Sequence, residues 1–217
     1  MQLQKKTQPG PLKDYYLQRV ANYKVPVREA GFVVLDFEAT GLDINKDHII
    51  SIGLIEIQNM GIHLNTAWHQ IVKTSQDMPQ NTAVIHQITD DMVAEGENLE
   101  VAMSTLLQRL KGKVMIAHHA NIELAFLNKI TQVLYGQKFI IPVIDTQLLA
   151  QRQLQRQQGH FRIGALRLFN LRNSHGLPAY KAHNALSDAL ATAELFLALA
   201  NDLYPKMDCT VKDLLTS

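Results

Sequence analysis

Asp36 and Glu38 stand two residues apart at the end of the run GFVVLDFE. A strand repeats every two residues, so both carboxylates would point to one face of it. The apolar FVVL before them predicts a central strand, where an unpaired buried carboxylate costs several kcal/mol. A divalent cation is the usual remedy. The same spacing also fits a surface strand with a solvated acidic face, so on its own the pair says little.

Two further groups bear on the same chemistry. Glu123 follows the short apolar run KVMIAHH and sits in the first turn of a helix over IELAFLNKITQVLYG, a place from which a side chain can reach a neighbouring strand end. His183 and Asp188 straddle the start of ALSDALATAELFLALAND, the strongest helical pattern in the chain, so a ring from a loop and a carboxylate from a helix can converge. Each has a plainer reading as well. Glu123 and Asp188 can complement helix N-termini, and His183 can be a surface histidine.

The elements that must position these residues are legible from periodicity. LKDYYLQRVANY has helical spacing through Leu12, Tyr15, Tyr16, Arg19, Val20 and Tyr23 and is stopped near Pro26. GFVVLDFE and HIISIGLIEI are strands joined by the long turn ATGLDINKD, and TAWHQIVK is a third strand. Short helical pieces run through HQITDDMVAEG, and Asn98 caps a helix over about Leu99 to Leu110. KVMIAHH and FIIPVIDT read as buried strands, Gly136 as a helix stop, and QLLAQRQLQRQQ and IGALRLFNL as helices. Three early strands, then helices alternating with two more, predict an α/β fold: a mixed five-stranded sheet flanked by helices, with an extra N-terminal helix. The expected division is an N-terminal extension over 1–30, a central domain over 31–204 and a tail over 205–217.

Composition narrows the setting. With 217 residues, 47% hydrophobic and 19% charged, the chain is of ordinary globular make-up. It holds no apolar run of membrane-spanning length, and its start, MQLQKKTQPG, lacks a secretory pattern. Cys209 is the sole cysteine, so no intrachain disulfide forms and a reducing cytoplasm is expected. The net charge of +1 hides a polarity: residues 1–30 carry six basic side chains against Asp14 and Glu29. From Asp145 to Lys181 the basic residues Arg152, Arg156, Arg162, Arg167, Arg172 and Lys181 face one acid. That stretch could meet an anionic partner or simply be a solvated surface.

Three stretches in order, VVLDFEATGLD, AHHANIELAFLN and KAHNALSDALATAEL, together resemble the motifs of the DEDDh, or DnaQ-like, 3′-5′ exonucleases. That group includes the proofreading epsilon subunit of bacterial DNA polymerase III. TAVIHQITDDM after the first stretch and VIDTQLLA after the second add to the likeness, which runs from about Gly31 to Tyr204. It departs at the second motif, where the family's Asn-Ala-x-Phe-Asp becomes His119-Ala120-Asn121-Ile122-Glu123. The added methylene moves that carboxylate by about 1.5 Å. Asp43, Asp47 and Asp90 match no motif and are not expected to replace it.

The resemblance implies an RNase H-like fold and a two-metal site of Mg²⁺ or Mn²⁺ held by Asp36, Glu38, Glu123 and Asp188. It implies His183 as general base and release of nucleoside 5′-monophosphates from a single-stranded DNA or RNA 3′ end, DNA being favoured. Substrate contacts are expected from Ala39, Thr40 and Gly41, from His86 beside the terminal sugar, and from Phe126 as a stacking or, on its helical spacing, core residue. Arg152 to Arg172 would track the strand or a partner, and a polymerase-type partner or a homodimer through the N-terminal helix is conceivable. The changed acid motivates a rival, a nuclease-like binding protein with weak or lost catalysis. A phosphotransfer enzyme cutting internally shares the carboxylates and leaves His183 unexplained.

Overall fold

β1 (Phe32–Ala39) is the central strand that the apolar run predicts, and its alternation divides the interior in two. The computed structural model describes residues 7–20, 22–74, 88–158, 162 and 164–216. Val33, Leu35 and Phe37 enter one core, Phe32 and Val34 the other. By the period of the strand, Asp36 and Glu38 lie on the Phe32 face. β2 (Ile49–Gln58) pairs antiparallel with β1, and β3 (Gly61–Ile71) antiparallel with β2. β4 (Val114–Ala117) and β5 (Val143–Asp145) extend the other side in parallel. The order β3-β2-β1-β4-β5 is a mixed five-stranded sheet.

Helices cover both faces. α1 (Pro11–Leu17), α2 (Asp90–Ala94), α3 (Leu99–Leu110) and α4 (Asn121–Tyr135) precede α5 (Thr146–Gln158), α6 (Leu168–Ser174), α7 (Ala185–Leu203) and α8 (Val211–Leu214). The first core takes Tyr15 and Tyr16 of α1, Leu106 of α3 and Phe126 and Ile130 of α4. The second takes Leu149 of α5, Leu171 of α6, Phe196 and Leu199 of α7 and Val211 of α8. Asn98 caps α3 by accepting from the Glu100 amide, and Gly136, at φ 68°, closes α4 in the left-handed conformation.

The structure corrects four expectations. The N-terminal helix ends at Leu17 rather than near Pro26, because the chain beyond it bonds the C-terminal segment: the Lys212 amide donates to the Tyr23 carbonyl and that of Val211 to the Val25 carbonyl. Residues 205–216 are packed rather than trailing, with Cys209, Val211 and Leu214 buried. β3 starts five residues before TAWHQIVK, at Gly61, after a tight turn with Asn59 and Met60 at φ 51° and 57°. Half-exposed edge strands alternate weakly, and that blurs their starts. FIIPVIDT narrows to Val143–Asp145, since Pro142 has no N–H for a ladder.

Candidate active site

The sheet ends, with the helix starts beside them, gather the acids. Asp36 pairs with Gly53 across the β1–β2 ladder, and a Cβ at Gly53 would lie 2.0 Å from the Ala185 carbonyl carbon. The first turn of α7 therefore rests directly on β2, which only a residue without a side chain allows. Asp188, one turn into α7, is thereby brought to the acids of β1. One carboxylate oxygen each of Asp36, Glu38 and Asp188 lie within 4.8 Å of one another. Just past Glu38 the ladder skips Ile50, a bulge that turns the strand out into the Ala39–Gly41 loop.

Glu123 arrives from the opposite core. It stands in the first turn of α4, 4% exposed, and its Oε2 has no hydrogen-bond partner. Asp145, at the end of β5, holds this turn: its Oδ1 accepts from the His119 and Gln147 amides and its Oδ2 from Ala120. One carboxylate thus ties the starts of α4 and α5 together, with His119 at φ 64°. Glu123 stands outside the 4.8 Å set. All four acids line one cleft of about 370 Å³, shared with Thr40, Leu42, His118, Ile122, Phe126 and His183.

Electrostatics follow from this crowding. Burial pushes the Asp36 carboxyl well above the ordinary range, and Glu123, Asp188 and Glu38 push it the same way. Glu123 is raised as well, mainly by burial, with Asp145 and Glu38 adding to it. Four carboxyl groups crowded into one cleft, two of them resisting ionisation, and an unpartnered buried oxygen suit a site for divalent cations.

Two histidines line the cleft, and they differ. Burial depresses His118 to about 4. Its Nε2 donates to the Leu166 carbonyl, which can only accept, so its Nδ1 accepts from the Thr146 hydroxyl. His118 is therefore neutral with both nitrogens engaged. His183 is exposed on its loop, at φ 68°, its amide donating to Asp188 Oδ2 at 2.9 Å.

Of the other expected residues, Thr40 is held by its hydroxyl on Asp47 Oδ1, and the Asp43 amide donates to Asp47 Oδ2. Asp47 shapes the loop, and its carboxylate fills the space where a Cβ of Gly41 would stand. Phe126 is 1% exposed and belongs to the core while edging the cleft. His86 lies outside the described residues. The basic stretch is less available than its composition suggests: Arg172 is buried and Arg152 donates to the Leu215 carbonyl. Reading the sequence missed Gly53, Asp145 and Asp47. Each acts through a partner distant in the chain or through backbone, which periodicity does not reveal.

The family model RNase_T, described as exonuclease, matches residues 33–196. The chain belongs to that exonuclease family. Among curated relatives, the DNA polymerase III subunit epsilon of Treponema pallidum is 31% identical over 168 residues, covering 77% of this exonuclease and 75% of that protein. The PolC-type DNA polymerase III of Thermotoga maritima is 33% identical over 169 residues, covering 78% of this chain. This exonuclease spans only 12% of that much longer protein. Among solved structures, the nuclease domain of 3′hExo, a DEDDh family member bound to rAMP, superposes with a TM-score of 0.69 at 14% identity. It covers 82% of this chain and 95% of its own. The RNase H-like exonuclease fold is thus shared. No helix among the described residues is long and apolar enough to cross a membrane.

Proposed function

We propose that this chain is a metal-dependent 3′-5′ exonuclease that trims single-stranded nucleic acid, DNA in preference to RNA, to nucleoside 5′-monophosphates. The observation that carries the reading is the convergence of Asp36, Glu38 and Asp188 within 4.8 Å in a cleft that Glu123 and His183 also line. Two divalent ions, Mg²⁺ or Mn²⁺, held by these four acids would supply the positive charge and Lewis acidity that phosphodiester hydrolysis needs.

The chain's own residues do the rest. His183, exposed on its loop beside the acids, takes the proton of the attacking water. His118 stays neutral and fixed, shaping the wall. Ala39, Thr40 and Gly41 present backbone to the terminal nucleotide, Phe126 supports them from beneath, and His86 meets the terminal sugar. Contacts to sugar and phosphate rather than to one base suit an enzyme that removes successive nucleotides. Relatives named as DNA polymerase III components favour DNA as substrate and a polymerase-type partner over a homodimer. We place the activity in the cytoplasm, a setting that suits the buried free thiol of Cys209.

A second reading, binding with weak turnover, is favoured by one observation: Glu123 stands outside the tight set. A time course on 3′- and 5′-labelled DNA and RNA of one sequence, with Mg²⁺, Mn²⁺ or EDTA and an Asp36→Ala control, separates them. Stepwise loss from the 3′ end, abolished by EDTA and by Asp36→Ala, is expected. Internal fragments would overturn the exonuclease reading, and retention of the strand without cutting would favour binding.

A further inference from the structure

The loop that carries His183 is fastened to α7 at two places. At its C-terminal end the His183 amide donates to Asp188 Oδ2 at 2.9 Å, in the first turn of the helix. At its other end a buried guanidinium does the work. Arg172, on α6 and 1% exposed, donates through Nη2 to the Pro178 carbonyl and to Glu194 Oε2, both at 2.7 Å, and through Nη1 to the Ala191 carbonyl. Tyr180 lies with its ring 4.7 Å from the guanidinium carbon, and its hydroxyl donates to Glu194 Oε1 at 2.8 Å. The two oxygens of Glu194 are thus divided between Arg172 and Tyr180.

Asp188 and Glu194 are separated by a helix rise of about 9 Å. The backbone from Tyr180 to His183 spans at most about 10 Å when extended, so the loop runs beside the helix with little slack. A buried ion pair adds little net stability over an apolar packing of the same shape. What it does define is geometry, since a planar guanidinium with two carbonyls, a carboxylate and a ring as partners admits few arrangements.

We propose that Arg172, Glu194 and Tyr180 are positioning residues: they hold the Pro178–His183 loop against α7 so that the His183 ring stands at the cleft for proton transfer. None of the three lines the acidic cleft, so they act through His183. The inference rests on the exonuclease reading of His183 given above.

The test is Tyr180→Phe, which keeps the ring over Arg172 and removes only the hydroxyl, made in the full chain and again with His183→Ala. With His183 present, kcat should fall about fivefold to tenfold while KM stays within about twofold. With His183→Ala the added change should do nothing, because the residue it positions is gone. A readout independent of turnover is tryptic cleavage after exposed Lys181, followed by mass spectrometry. It should speed up about tenfold in Tyr180→Phe at an unchanged melting temperature, and Glu194→Gln, which keeps an acceptor, should speed it less. Equal losses of kcat in both backgrounds, or unchanged kcat and cleavage in Tyr180→Phe, would overturn the proposal. If His183→Ala itself leaves the rate intact, the exonuclease reading of His183 fails and this inference falls with it. A damaging His183→Ala beside a harmless or additive Tyr180→Phe sinks the positioning role alone.

Discussion

The two helices that deliver acids to the cleft do so by different means. α7 lies on the sheet face that carries Asp36 and Glu38 and is seated on β2 at Gly53, so Asp188 joins a tight set with them. α4 packs in the other core, and Glu123 must reach the cleft around the sheet end from a turn held by Asp145. Close backbone contact positions the first carboxylate, and hydrogen bonds to a turn position the second. A close contact tolerates almost no change, since interiors are packed to crystal density. A longer side chain such as Glu is admissible on the α4 side, where reach rather than contact sets the position.

This contrast can be broken or sharpened. The largest effect is expected from Asp188→Asn, which removes a charge from the tight set. Turnover should fall on the order of 10³-fold, with loss of Mn²⁺ binding by calorimetry. Gly53→Ala should come next. Its Cβ would strike the Ala185 backbone and lift α7 off β2, costing about 10²-fold in kcat and roughly 1–3 kcal/mol in denaturant stability. A Gly53→Ala protein with native activity would show that α7 is not seated by that contact. On the α4 side, Glu123→Asp should change kcat by less than about tenfold and favour Mg²⁺ over Mn²⁺ relative to the parent. Should Glu123→Asp cost as much as Asp188→Asn, the distinction between the two helices collapses.

The smallest effect is thermodynamic. Asp36 and Glu123 have raised proton affinities in the fold, Glu123 to about 8. Groups raised in this way stabilise below the ordinary carboxylate range, and that contribution is lost as pH rises through the raised value. In EDTA the melting temperature should therefore decline by a few degrees between pH 5 and about pH 8, and Mn²⁺ should flatten the decline. His118, depressed to about 4, works the other way. It favours the fold above its ordinary value near 6.5, and that contribution is lost as pH falls from there to about 4. His118→Gln should flatten the acid side alone, measured by scanning calorimetry.

Much of this was legible in the residues. The alternation in GFVVLDFE put Asp36 and Glu38 on one face, Asn98 and Gly136 marked the bounds of α3 and α4, and the order of motifs pointed to the family. What escaped were Gly53, Asp145 and the Arg172 network. A glycine in ISIGLIEI is indistinguishable from a weak strand residue until a helix is laid on it. Arg172 read as surface charge, because composition counts a guanidinium without knowing that Glu194 and Tyr180 wait for it.

Local interactions and periodicity belong to the sequence itself, because each residue's φ/ψ preference and the two-residue and 3.6-residue repeats act between near neighbours. They determined most of the elements and the shared face of the β1 acids, while the set of candidate ligands came from the likeness of three ordered motifs to a known family. Tertiary structure alone decided which acids converge, that His118 is locked while His183 is exposed, and that part of the basic stretch is interior. Those outcomes depend on contacts between segments far apart in the chain, whose geometry arises only when the sheet is closed and both cores are packed.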